Sequence, residues 1–253
     1  MTSSTRLSNW SKARKLEMNM EALLEFAKGP LFVGTFSFMV LGLLRRVISQ
    51  WVQVRASLKR LTNREIAVGA NVKQSLAWLL PVKHLYRNRP FVSLMSFFFH
   101  VGLLLVPLFL VSHIDLWRRG LGIAWPGISL YTADVLTIAT IVAALVLLGF
   151  RLFDRAGRTL STSLDYFLLA AVLVPFVSGF MALHPAFNPL AYDTTMLIHV
   201  LSSELLFVLL PTTKLAHAAL FIFDRFSSDV FWKMPAGAGD RVAQELYGEG
   251  RKV

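Results

Sequence analysis

Five long apolar runs, separated by polar segments rich in Lys and Arg, set the rhythm of this chain. At about 1.5 Å per helical residue such runs match the hydrocarbon core of a bilayer. They predict membrane spans over residues 30–44, 91–116, 128–150, 164–183 and 196–223. Arg45 and Arg46 are expected to end the first span. Ahead of it, residues 20–29 read as a short amphipathic helix at the interface. Residues 45–90 form a basic segment whose apolar patches, at 66–70 and 76–80, suit helices lying on the membrane or against a soluble partner. The expected layout is an N-terminal segment over 1–29, a membrane domain over 30–226 that includes the basic segment, and a polar tail over 227–253.

Composition agrees with an all-α integral membrane protein of five transmembrane helices. The 253 residues are 55% hydrophobic and 16% charged, against about 25% charged in soluble domains. A net charge of +11 would suit a nucleic-acid binder. Here, however, Lys and Arg sit beside apolar spans, where they report topology instead. Placing the segments after the first and third spans and the C-terminus on one side, with Lys214 near that end of the fifth span, puts nineteen of the 26 basic residues there. That side is then cytoplasmic, with the N-terminus outside and the C-terminus inside. The absence of cysteine excludes thiolate-ligated iron–sulfur clusters, zinc ribbons and disulfides within this chain. The basic N-terminus has no apolar core before a cleavage site, so no cleavable signal peptide is expected.

The chemistry-bearing residues are histidines inside the second and fifth spans. His199 and His217 are eighteen residues apart, five whole turns of an ideal helix, so both rings would leave one face about 27 Å apart in depth. Antiparallel to them run His100 and His113 in the second span. Matching by depth pairs His100 with His217 towards the cytoplasm and His113 with His199 towards the outside. Two ligands at each depth fit two bis-histidine haem b groups better than zinc, which wants three or four ligands together. The spacing of thirteen between His100 and His113 leaves a phase of about 220° on a straight helix. A kink or change of winding at Pro107 is expected to correct it, with Pro211 doing the same in the fifth span. The competing reading is of hydrogen-bonded structural histidines.

Haem propionates need cationic or polar partners near the interface. Lys214, Arg87, Arg89, Arg118 and Arg119 are candidates, with interfacial snorkelling as the alternative. His184, at the outer end of the fourth span and close in sequence to Tyr192 and Asp193, is a candidate proton acceptor for a quinol; capping a helix before Pro185 is its other reading. Glu204, inside the fifth span, is either a proton relay or a protonated acid bonded to Ser202 or Ser203. Asp134 and Asp165 lie where an acidic side chain favours a helix N-terminus. His84 precedes the second span and is not assigned as a ligand.

These residues carry a family resemblance. LIH, eighteen residues from its histidine to the next, and LPTTKLAH resemble the gamma subunit of respiratory nitrate reductase, a five-helix dihaem cytochrome b. FFFHVGLLLVPLFLVSHIDLW, MEALLEFAKGPLFVGTFSF and ADVLTIATI resemble more closely a branch of membrane cytochromes from sulfur-metabolism complexes, such as those linked to dissimilatory sulfite reductase. The resemblance covers residues 20–226. It implies that His100, His113, His199 and His217 ligate two haem b groups. It implies exchange of electrons between menaquinone or ubiquinone and a cytoplasmic iron–sulfur subunit, beside further membrane and periplasmic cytochrome subunits. The wider histidine spacing in the second span departs from the nitrate reductase pattern and sets nitrate aside as the partner reaction. No nucleic-acid partner is expected; the setting is a bacterial or archaeal cytoplasmic membrane. The alternatives are a haem relay with no quinone site of its own and a haem-free proton-coupled transporter or scaffold. The absence of paired helix repeats counts against transport.

Overall fold

The computed structural model describes residues 18–59, 89–218, 220–221 and 244–245. Residues 1–17, most of the basic segment with His84 and Arg87, and nearly all of the C-terminal tail lie outside the described residues. Five helices are long and apolar enough to cross a membrane. The chain is thus an all-helical, multi-pass membrane protein by the length and composition of its helices.

The first span differs from its expected bounds. Residues 18–26 are helical, a π-helical turn follows at Ala27–Leu31, and α1 runs over Phe32–Lys59. Pro30 lies within that wide turn, where the Phe32 N–H reaches back to the Ala27 carbonyl. A π-turn absorbs the bond that proline cannot make. The segment over 20–29 is therefore continuous with the span. Nor do Arg45 and Arg46 end the helix, because arginine is a good helix former; they end only the apolar run.

The second span is two helices, α2 over Pro90–Phe109 and α3 over Val111–Leu121, broken at Leu110. Leu110 is extended, with φ −67° and ψ 127°. A break there leaves carbonyls of the last turn without helical partners. Each finds one elsewhere. The Pro107 carbonyl accepts from His113 Nδ1 at 3.0 Å, Leu108 from Trp125 Nε1 at 2.8 Å, and Phe109 from the Ile128 N–H at 2.9 Å. The segment 122–129 thus doubles back to splint the break. Gly122 starts it with φ 70°, the left-handed conformation that ends α3.

The third span, α4 over Leu130–Phe153, is capped by Ser129, whose hydroxyl accepts from the Thr132 N–H. Asp134, expected at the helix start, is instead one turn inside. One face of α4 carries Val135, Ile138, Val142 and Leu145, all exposed, as lipid-facing residues are. The other buries Ala133, Thr137, Thr140, Ala143 and Ala144. Small residues let membrane helices approach closely. Gly102 of α2 meets this face, and a Cβ there would overlap Thr140 Oγ1. Accordingly α2 packs chiefly on α4, and α4 on α6.

Asp154 caps the short α5, Arg155–Leu160, through the Gly157 N–H at 2.8 Å and pairs with Arg89 at 2.7 Å. The fourth span is α6, Ser163–Leu183, where Asp165 accepts from the Thr162 N–H at 2.8 Å at the helix start, as expected. The fifth is α7, Tyr192–Thr212.

α7 does not continue to His217. Thr213 is extended, two residues after Pro211, and a 3-10 turn over Lys214–Ala216 follows. The five uninterrupted turns expected between His199 and His217 are therefore not present. Two compact units divide the chain, one of Met1–Thr35 with Lys83–Leu206 and one of Phe36–Val82 with Phe207–Val253. Within the second, Phe36 meets Phe207 edge to face at 5.8 Å. There too Gly42 leaves room for the Pro211 ring, 2.6 Å from where its Cβ would stand.

Candidate functional site

His113 and His199 meet in the first unit. Their ring centroids are 6.1 Å apart and their planes 13° from parallel. Each ring is fixed by its Nδ1: His113 donates to the Pro107 carbonyl at 3.0 Å and His199 to the Pro175 carbonyl at 2.9 Å. A carbonyl only accepts, so Nδ1 carries the proton and Nε2 keeps its lone pair. Metal-ligating histidines are held in this way.

The break at Leu110 positions His113, because it is the break that leaves the Pro107 carbonyl to the imidazole. His199 has a different support. Gly179 of α6 faces its ring, and a Cβ there would lie 2.8 Å from Cε1 and 3.0 Å from Nδ1. Only glycine gives the ring its room.

Two imidazoles bound on opposite sides of one metal atom, with bonds of about 2.0 Å and about 1.1 Å from nitrogen to ring centre, have centroids about 6.2 Å apart. The observed separation of 6.1 Å is close to that figure. Among the described residues no group of three or more His, Cys, Asp or Glu is placed to hold a bare metal ion.

The other two histidines share the same tautomer. His100 Nδ1 faces the Ser96 carbonyl at 2.7 Å, and His217 Nδ1 faces the Lys214 carbonyl at 2.6 Å. His100 belongs to the first unit and His217 to the second.

Two of the cations expected at propionates have carboxylate partners. Arg118 pairs with Asp115 at 2.9 Å and Arg89 with Asp154 at 2.7 Å. Lys214 opens the 3-10 turn and is exposed. The Arg89 guanidinium, and after it the Gly157 N–H, hold the Asp154 carboxyl below the usual carboxylate range.

His184 is the C-cap of α6, directly before Pro185, as its second reading expects. Its ring stacks on Phe180 at 4.2 Å, Nδ1 donates to the Phe180 carbonyl at 2.9 Å, and Nε2 lies 3.3 Å from Asp134 Oδ2. The carboxylate it meets is thus Asp134 of α4. Asp193 is exposed in the first turn of α7. Nδ1 is taken by a backbone carbonyl, and Nε2 and the Asp134 carboxyl form one polar pair.

Glu204 is 3% exposed, and among the described residues neither carboxyl oxygen has a hydrogen-bond partner. Ser202 and Ser203, its expected partners, both donate to the His199 carbonyl, at 3.1 and 2.7 Å. Sequence reasoning missed Gly179 and Trp125. A glycine in an apolar span signals close packing but not what it packs against, and an indole near an interface reads as an anchor.

No family model and no solved structure matches the chain. It is 33% identical over 221 residues to a protein of Nitratidesulfovibrio vulgaris (strain Hildenborough), an alignment covering 85% of this chain and 96% of that one. The chain therefore belongs to the same family as that Nitratidesulfovibrio protein.

Proposed function

We propose that this chain is a dihaem cytochrome b, the membrane subunit of a quinone-linked oxidoreductase of the nitrate reductase gamma type, in its sulfur-metabolism branch. The observation that carries the reading is the His113–His199 pair, near-parallel at 6.1 Å with both Nδ1 atoms committed to backbone carbonyls. These two would hold one haem b, and His100 with His217 the other. Haem supplies one-electron transfer at each pair. The chain's own part is to present Nε2 lone pairs from rings that cannot turn, in an apolar setting that excludes water.

A quinol gives up protons as it is oxidised. In this reading the acceptor at the outer end is His184, its ring held by Phe180 and its Nε2 facing the Asp134 carboxyl at 3.3 Å. Asp193, exposed in the first turn of α7, would belong to the same quinone site. The Arg118 and Arg89 guanidiniums would leave their carboxylates in part to meet propionates. Menaquinone or ubiquinone lies on one side of the relay and a cytoplasmic iron–sulfur subunit on the other, in a bacterial or archaeal cytoplasmic membrane with the N-terminus outside.

The test is a reduced-minus-oxidised spectrum of the purified chain with a haem count. Two haem b per chain are expected, falling to one in His113→Ala and in His199→Ala. A haem-free protein, or unchanged haem in both variants, overturns the reading.

A further inference from the structure

Glu204 is the only carboxyl residue in the apolar interior of α2, α4, α6 and α7. Of the remaining acidic residues of those helices, Asp165 and Asp193 lie in first turns and Asp134 one turn inside α4. Their one Lys or Arg, Arg151, stands in the last turn of α4, where it donates to the Asp165 carbonyl. The other titratable side chains on them are His100, His199, Tyr131, Tyr166 and Tyr192. On the helical residues 18–35 of the same unit there are Glu21, Glu25 and Lys28. None of these groups is paired with Glu204, which is 97% buried and has no hydrogen-bond partner for either oxygen among the described residues.

An ionised carboxylate in such a place has neither counter-charge nor donors, and its cost in an apolar medium is prohibitive. The neutral acid is the form the interior tolerates. Even that form keeps an unsatisfied O–H, and orphaned polar groups in native interiors mark sites that do something. The two serines that would have tied it down are both turned to the His199 carbonyl instead. A structural hydrogen bond is therefore not what keeps glutamate here.

We propose that Glu204 is a proton-binding site of the membrane interior, occupied by a proton in the resting protein and exchanging it with water through one end of the bundle. It stands five residues along α7 from His199, about 7.5 Å in depth. That places a protonable stop between the two ends of the bundle. The proposal does not depend on haem.

The experiment uses the full-length protein in nanodiscs. Dicyclohexylcarbodiimide attacks protonated carboxyls in apolar surroundings: the acid's proton moves to a carbodiimide nitrogen as a carboxyl oxygen adds to its central carbon. At neutral pH the adduct is expected at Glu204 at least tenfold above Asp134, Asp165 and Asp193, and absent in Glu204→Gln. An infrared difference between wild type and Glu204→Gln is expected to contain a protonated-carboxyl band that shifts in D2O. Absence of that band overturns the proposal, and so does a band that never shifts. A haem count on the same preparation separates the two readings. Haem-free protein with a reactive Glu204 removes the cytochrome and keeps this site; a two-haem protein lacking the band removes only this site.

Discussion

At the scale of single residues, the pair of rings rests on atoms that carry no charge. His113 depends on one carbonyl freed by a broken helix, and His199 on one carbonyl and one missing methyl group. Gly179→Ala tests the second directly. Its Cβ would stand 2.8 Å from His199 Cε1, so the ring must shift and strain its bond to Pro175. Overpacking of this kind costs about 1–3 kcal/mol. The expected outcome is a lower melting temperature in detergent together with loss or spectral shift of one haem, the other staying as in wild type. Unchanged melting and spectra would show that the ring is placed by something else. The four histidines stand out in the sequence because polar side chains are rare within apolar runs. Gly179 does not, since a small residue in a membrane helix has many uses. The partner of His184 was equally hidden: Asp134 is fifty residues away in sequence and reads there as a helix-start acid.

At the scale of elements, helix ends are where this chain makes its long-range ties. Asp154 ends α4, caps α5 and holds Arg89 at the start of α2. Its carboxyl is held below the usual range by Arg89 and then by the Gly157 N–H. A group depressed in the folded state stabilises it above the ordinary carboxylate value and loses that contribution as pH falls through the depressed one. Melting in detergent is therefore expected to weaken on the acid side in wild type and to be flatter with pH there in Asp154→Asn. An identical acid limb in both would remove Asp154 as its source. The pair is exposed to solvent, so the effect is small. Phase arithmetic on His100 and His113 demanded a departure from a straight helix near Pro107, and the departure is there, at Leu110. The same arithmetic misled for His199 and His217. An integer number of turns describes an unbroken helix, and Thr213 interrupts this one.

At the scale of the whole molecule, the five spans follow from hydropathy because lipid punishes exposed backbone and polar side chains alike. Which side each loop faces follows only from charge counting. The chain's lack of cysteine makes that a clean measurement. With single cysteines at Ala124→Cys and Ala156→Cys, a membrane-impermeant maleimide should label the first in intact cells and the second only after permeabilisation. The reverse pattern would invert the orientation. What hydropathy could not convey is how 122–129 is used. Loops between membrane helices are ordinarily where homologues gain and lose residues and where tags are inserted without harm. Here Trp125 and Ile128 reach back to Leu108 and Phe109, and the next carbonyl, that of Pro107, belongs to His113. The length of this loop is consequently tied to the register of an imidazole, and a residue added between Gly122 and Ile128 would be felt inside the membrane.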